Sequence, residues 1–173
     1  MKIQKASEIK LLLLDVDGVM TDGRIIYDDE GRELKFFHVR DGMGIKFLIE
    51  AGIEVGIISG RESKTVSKRA RELGISLIYQ KISNKIEIYN EILKVKSLKD
   101  KNVCYIGDDL NDYPLLKRVG FSVIVSNGTE EIRDKVDYIA KKEGGKGAVR
   151  EICEIILKSQ NRWEEFLKKY HFE

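Results

Sequence analysis

Two aspartates, Asp15 and Asp17, follow an apolar run and lead into a glycine in the stretch Asp15-Val16-Asp17-Gly18. Residues two apart on an extended chain leave it on the same side. An apolar strand has no structural use for two carboxylates, and burying them unpaired is costly. A divalent cation that takes hard oxygen ligands, magnesium above all, would resolve the conflict. A second acidic group, Gly107-Asp108-Asp109-Leu110-Asn111-Asp112, follows another apolar run, Val103–Ile106. Asp108 is assigned to the metal, with Asp109 and Asp112 as supports. Helix capping is the competing use of Asp109 and Asn111, and Asp112 suits the first turn of a helix. Ser59-Gly60-Arg61 sets a hydroxyl, a flexible backbone N–H and a guanidinium at the start of a helix, a combination that suits an anion. Lys85 opens a further helix. The helix dipole disfavours a cation there, so its side chain is expected to reach inward toward negative charge.

These residues need a scaffold that brings strand ends together. The runs Ile9–Val16, Val55–Ser59, Leu77–Tyr79, Val103–Ile106 and Phe121–Val125 are short and rich in Leu, Val and Ile. Their apolar character is continuous rather than alternating, which suits strands covered on both faces. Helical periodicity fills the gaps at Gly42–Ala51, Ser63–Leu73, Lys85–Val95, Asn111–Val119 and Gly147–Ser159. Strands alternating with helices give an α/β fold, a Rossmann-like parallel sheet flanked by helices. Such sheets bind ligands beyond the carboxyl ends of their strands, where the acidic groups lie. Gly23–Val39 breaks the alternation and reads as a β-hairpin turning through Asp28-Asp29-Glu30-Gly31. Trp163, Phe166, Leu167 and Tyr170 give the tail, Gln160–Glu173, one apolar helical face that needs a surface to cover.

The 173-residue chain is expected to form one domain, residues 1–173, with no linker or internal repeat. Its 31 basic and 29 acidic residues leave a net charge of +2, which gives no reason to invoke nucleic acid or a membrane surface. No run approaches the roughly 18 apolar residues of a membrane span, and Met1 is followed by charge rather than by an apolar leader, so a cytoplasmic protein is expected. Cys104 and Cys153 lack metal-ligand spacing and read as small buried hydrophobes.

The order DxDG, then (S/T)G, then Lys, then GDDxxD, each after a strand, resembles the haloacid dehalogenase superfamily of phosphotransferases. Within it, DVDGVMTDG, FFHVRDGMGIK, ISGRESKTVSKRARELGI, GDDLNDYPLL and GGKGAVREICEIIL are similar to the phosphatases of 3-deoxy-D-manno-octulosonate 8-phosphate, over roughly Ile9 to Lys158. The resemblance implies magnesium-dependent hydrolysis through an aspartyl-phosphate, in lipopolysaccharide precursor synthesis. It makes Asp15 the nucleophile and Asp17 the acid and then the base. It gives the metal to Asp15, the Asp17 main-chain carbonyl and Asp108, and the phosphoryl oxygens to Ser59, Gly60 and Lys85. His38, Val39, Arg40, Asp41, Gly42, Lys46, Arg61 and Arg69 match positions near the sugar acid, whose carboxylate suits arginine. His38 departs from the family, which more often has Asn there. The Gly18–Ser59 interval is too short for the large cap domain of most relatives. The hairpin stands in its place and resembles the element that builds a homotetramer, in which a neighbour covers the site and Arg150 is a candidate contributor to it. A nonulosonic acid 9-phosphate is the alternative substrate. A receiver-like signalling module is the alternative from another class, and Asp17 argues against it. A non-catalytic partner of a sugar-nucleotide synthetase is the third reading, opposed by the complete catalytic set.

Overall fold

The computed structural model describes residues 2–172. In chain order the strands and helices are β1 (Leu11–Leu14), β2 (Ile26–Tyr27), β3 (Glu33–Leu34), α1 (Val39–Glu50), β4 (Glu54–Ile58), α2 (Lys64–Leu73), β5 (Leu77–Tyr79), α3 (Lys85–Lys96), β6 (Val103–Gly107), α4 (Tyr113–Leu116), β7 (Phe121–Ile124), β8 (Tyr138–Ile139), α5 (Ala148–Ser159) and α6 (Trp163–Lys169). Six strands form one parallel sheet in the order β5-β4-β1-β6-β7-β8, and β2 and β3 pair separately as an antiparallel hairpin.

The four leucines of β1 show why its sequence is continuous. Leu12 and Leu14 join the core beneath α1, α2 and α5, while Leu11 and Leu13 join the core beneath α3 and α4. Alternate side chains feed opposite faces, both are covered, and every position is apolar. Each such leucine contributes about 2 kcal/mol of burial. β1 pairs with β4 on one side and β6 on the other. The chain leaves β1 toward β4 and β5, then returns to β6 on the opposite flank. The carboxyl ends of β1 and β6 therefore lie at a topological switch point, where doubly wound sheets open a crevice.

Three elements differ from the sequence expectation. The hairpin pairs only Ile26–Tyr27 with Glu33–Leu34, and Val39 already opens α1. The segment expected as the helix Asn111–Val119 is a 3-10 turn, Leu110–Asp112, followed by the single turn of α4. The sixth strand, β8, has two residues and carries no periodicity to betray it. The tail helix α6 finds its surface within the chain. Phe166 and Trp163 pack on Phe47 of α1, with ring centroids 4.8 and 6.1 Å apart. Arg150 lies over Phe47 and Trp163, 4.9 and 5.3 Å from their centroids, and its Nε donates to Glu154 at 2.7 Å. In this structure Arg150 is engaged by its own chain. No described helix is long and apolar enough to cross a membrane.

Candidate active site

Asp15 extends the β1 ladder by one residue, its N–H donating to Ile106 at 3.1 Å. Its side chain is 8% exposed. Lys85, first residue of α3 after the Asn84 cap, turns inward as expected. Its ammonium donates to Asp15 Oδ1 at 2.9 Å, to Asp112 Oδ1 at 2.6 Å and to the Tyr105 hydroxyl at 3.1 Å. Burial pulls the Lys85 ammonium down, but Asp112 and Asp15 more than offset it and hold it above the ordinary lysine value. Burial, and then the Asp112 charge, push Asp15 up to about 6, with Lys85 opposing both.

Asp112 is wholly buried. One oxygen accepts from Lys85 and, at 2.5 Å, from Tyr105; the other accepts the amides of Asp108 at 2.9 Å and Asp109 at 3.4 Å. It thus folds the turn after β6 and anchors Lys85, a larger task than supporting a helix start. Asp109 turns outward, accepting from Leu110 N–H and the Thr129 hydroxyl. Asp108 faces the cleft. Among the described residues no hydrogen bond reaches its carboxylate. Burial, then Asp112 and Asp15, push it up to about 8.

Oxygens of Asp15, Asp108 and Asp112 lie within 4.8 Å of one another. A divalent cation fits this set. Asp112 has spent its lone pairs on Lys85, Tyr105 and two amides, so Asp15 and Asp108 are the side chains left to hold the ion. The unpartnered Asp108 carboxylate and its upward shift express the counter-charge the protein does not supply. Gly18 makes room for it: backbone φ there is +91°, and a Cβ would fall 2.0 Å from Asp108 Oδ2.

Asp17 lies at the mouth. Its Oδ1 accepts from Lys35 at 2.5 Å, and its Oδ2 is 3.6 Å from Arg61 Nε. Arg61 donates to Glu33 at 2.7 Å. Asp15, Asp17, Ser59, Gly60, Arg61 and Asp108 line one cleft of about 140 Å³. The residues read from the two acidic groups and the Ser-Gly-Arg turn are therefore brought together.

The remaining sugar-acid positions are not brought there within one chain. His38 and Arg40 line a separate cavity of about 770 Å³ with Lys142, Lys146 and Arg150. Asp41 is buried and accepts the amides of Arg150 at 2.8 Å and Gly147 at 3.3 Å, closing the start of α5. Gly42 lies against the Arg69 guanidinium, which also meets Glu72 at 3.3 Å. Val39 and Lys46 are exposed on α1. Sequence reasoning missed Tyr105, Glu33 and Lys35. Tyr105 carried a usable signal, a hydroxyl inside an otherwise apolar buried strand; the two hairpin residues carried none.

Residues 76–152 match the family model described as haloacid dehalogenase-like hydrolase. The 3-deoxy-D-manno-octulosonate 8-phosphate phosphatase of Yersinia pestis is 46% identical over 94% of this chain and 87% of its own length. The crystal structure of the Moraxella catarrhalis phosphatase of that name, in complex with magnesium ion, phosphate ion and the sugar acid, is 46% identical with a TM-score of 0.95, covering 98% of this chain and 97% of that one. The cobalt-bound Haemophilus influenzae phosphatase is 38% identical with a TM-score of 0.91, covering 97% and 98%. A cleft with two acidic strand ends, carried on a sheet and sequence shared this widely, settles the family: the chain belongs to the haloacid dehalogenase-like hydrolases and is a phosphoric monoester hydrolase.

Proposed function

We propose that this enzyme hydrolyses 3-deoxy-D-manno-octulosonate 8-phosphate to the sugar acid and phosphate, a cytoplasmic step in lipopolysaccharide precursor synthesis. The observation that carries the chemistry is the cleft itself, with Asp15, Lys85 and Asp108 converging at the switch point of the sheet. The substrate rests on relatives that are 46% identical and bear that name.

Asp15 attacks phosphorus, and the bond to the sugar oxygen breaks as Asp17 gives that oxygen a proton. Water then attacks the aspartyl-phosphate while Asp17 takes its proton, freeing phosphate and restoring both carboxyl groups. Ser59, the Gly60 N–H and Lys85 clamp the phosphoryl oxygens. Asp15, Asp108 and the Asp17 main-chain carbonyl would hold magnesium, which would supply charge neutralisation for the transfer. Asp112 holds Lys85, and Asp109 holds the turn that carries Asp108.

Arg61 reads the sugar acid from within the chain. His38, Val39, Arg40, Lys46 and Arg69 belong to the same recognition surface once four copies assemble, with Asp41 and Gly42 buried behind it as its support. The hairpin favours this assembly, since its Tyr27, Leu34 and Phe36 are each exposed, Phe36 by 61%, as is Val39 at the start of α1, by 78%.

Asp17→Asn tests the chemistry. Turnover is expected to fall by roughly 10²–10⁴, the usual worth of a positioned acid–base group, with metal binding retained. Normal turnover by that variant would sink the mechanism. A kcat/KM that favours a nonulosonic acid 9-phosphate over the eight-carbon ester would move the substrate and leave the chemistry in place.

A further inference from the structure

The hairpin carries two charged side chains into the cleft. The Lys35 side chain is 2% exposed, and its ammonium touches Asp17 Oδ1 at 2.5 Å and Glu33 Oε1 at 3.3 Å. Glu33 accepts from Arg61 Nη2 at 2.7 Å, and Arg61 Nε lies 3.6 Å from Asp17 Oδ2. The four groups close a ring of alternating charge, two on the hairpin and two on the loops after β1 and β4. A two-stranded hairpin with two-residue strands does not hold its own position. The ring therefore fixes the hairpin to Asp17, and fixes Asp17 to the hairpin.

The two oxygens of Asp17 are not equivalent in this ring. A lysine ammonium has donors only, so an oxygen it bonds must be an acceptor. Oδ1 is filled that way. Oδ2 has no hydrogen bond from Arg61, whose Nη2 is drawn off to Glu33 and whose Nε stands 3.6 Å away.

We propose that Lys35 is a positioning residue: it reserves Oδ1 of Asp17 as acceptor and leaves Oδ2 as the oxygen that carries the proton. The inference rests on the reading of Asp15 as nucleophile and Asp17 as acid and base. In the first step the Asp15–phosphorus bond forms and the phosphorus–sugar oxygen bond breaks. Its electron pair stays on the sugar oxygen, which takes the proton from Oδ2. In the second, a water oxygen bonds to phosphorus, the Asp15–phosphorus bond breaks, and Oδ2 takes one proton of that water.

The test uses two leaving groups. kcat/KM reports only the steps up to departure of the first product. A sugar alkoxide needs a proton to leave, whereas p-nitrophenolate does not. Lys35→Met is expected to lower kcat/KM for 3-deoxy-D-manno-octulosonate 8-phosphate by about ten- to a hundredfold, part of the worth of a positioned acid. The loss with p-nitrophenyl phosphate is expected to be at least ten times smaller. If the single variant is unstable, Lys35→Met combined with Glu33→Gln keeps the ring neutral and is measured instead. Equal losses on both esters would reduce Lys35 to a structural anchor and overturn the proposal. Asp17→Asn is run beside it. Lys35→Met should add less than about threefold to the loss in that background, since its effect passes through Asp17. Should Asp17→Asn itself keep full kcat/KM on the sugar ester, the acid–base reading falls; should it lose activity while Lys35→Met does not, only the role of Lys35 falls.

Discussion

Replacing Asp108 by Asn should stabilise the metal-free enzyme at alkaline pH while removing its metal response. In the folded protein, burial and then the Asp112 and Asp15 charges push the Asp108 carboxyl from 3.8 up to about 8. Its folded value lies above its unfolded value, so the unfolded chain releases this proton first. Stability linked to Asp108 is therefore full below about pH 4, falls as pH rises, and is lost by about pH 8. At about 1.4 kcal/mol per pKa unit, the rise from 3.8 to about 8 sets a ceiling of about 6 kcal/mol. The three carboxylates share one field, and between a third and a half of that, roughly 2–3 kcal/mol, is assigned to Asp108. At about 2–4 °C per kcal/mol for a chain of this size, Asp108→Asn should raise Tm in EDTA by about 4–12 °C at pH 8 and leave it nearly unchanged at pH 4. Thermal denaturation with and without magnesium chloride reads both effects. Magnesium should raise the Tm of the parent enzyme at pH 8, less so at pH 6 where protons compete, and should not raise that of the variant. A variant less stable than the parent in EDTA at pH 8, or one that keeps the magnesium shift, would refute this account of the centre.

Two further outcomes follow from packing. Gly18→Ala puts a Cβ 2.0 Å from Asp108 Oδ2 at a φ of +91°; titration calorimetry should show magnesium affinity at least tenfold weaker, with about 1–3 kcal/mol of lost stability. Light scattering should give four copies per particle for the parent and fewer for Phe36→Asp, with sugar-ester turnover falling alongside; a fully active monomer would refute a lid supplied by a neighbour.

The sheet and the acidic centre were legible because both are local in sequence. Leu11–Leu14 has one environment on each side, so its composition alone reports burial on two faces. Asp15, Asp17 and Asp108 follow strands, and a parallel sheet aligns such positions at one edge. Lys85 was legible as a misplacement, a cation where the helix dipole opposes one. Asp112 was legible as a support of Asp108 or a helix-start residue, but not as the anchor of Lys85, because its bonds to Lys85 and Tyr105 are tertiary. Lys35 and Glu33 had no signal at all. A lysine between Leu34 and Phe36 in a hairpin is ordinarily a solvated edge residue. Nothing local shows that it meets Asp17, 18 positions earlier, or that Glu33 meets Arg61, 28 positions later. β8 was hidden for a different reason, since two residues are too few to show a period.

In the centre, three carboxylates, Asp15, Asp108 and Asp112, face the single ammonium of Lys85, which leaves two negative charges at full ionisation. At the mouth, Asp17 and Glu33 face Lys35 and Arg61 and balance. The protein neutralises the ring that must hold a geometry and leaves uncompensated the pocket that must bind a cation. A monovalent ion would leave the centre negative and a trivalent ion would overcompensate it; a divalent ion matches it. Burial first, and then that deficit, raise Asp15 and Asp108, because a buried site without its counter-ion retains protons instead. Filling the deficit from within would take two further lysines, which would relieve the like-charge part of the shifts and leave the incoming phosphate no charge to meet except ones already paired. The instability built into the metal-free centre is thus the same quantity that makes metal binding favourable, and Asp108 is where it is largest.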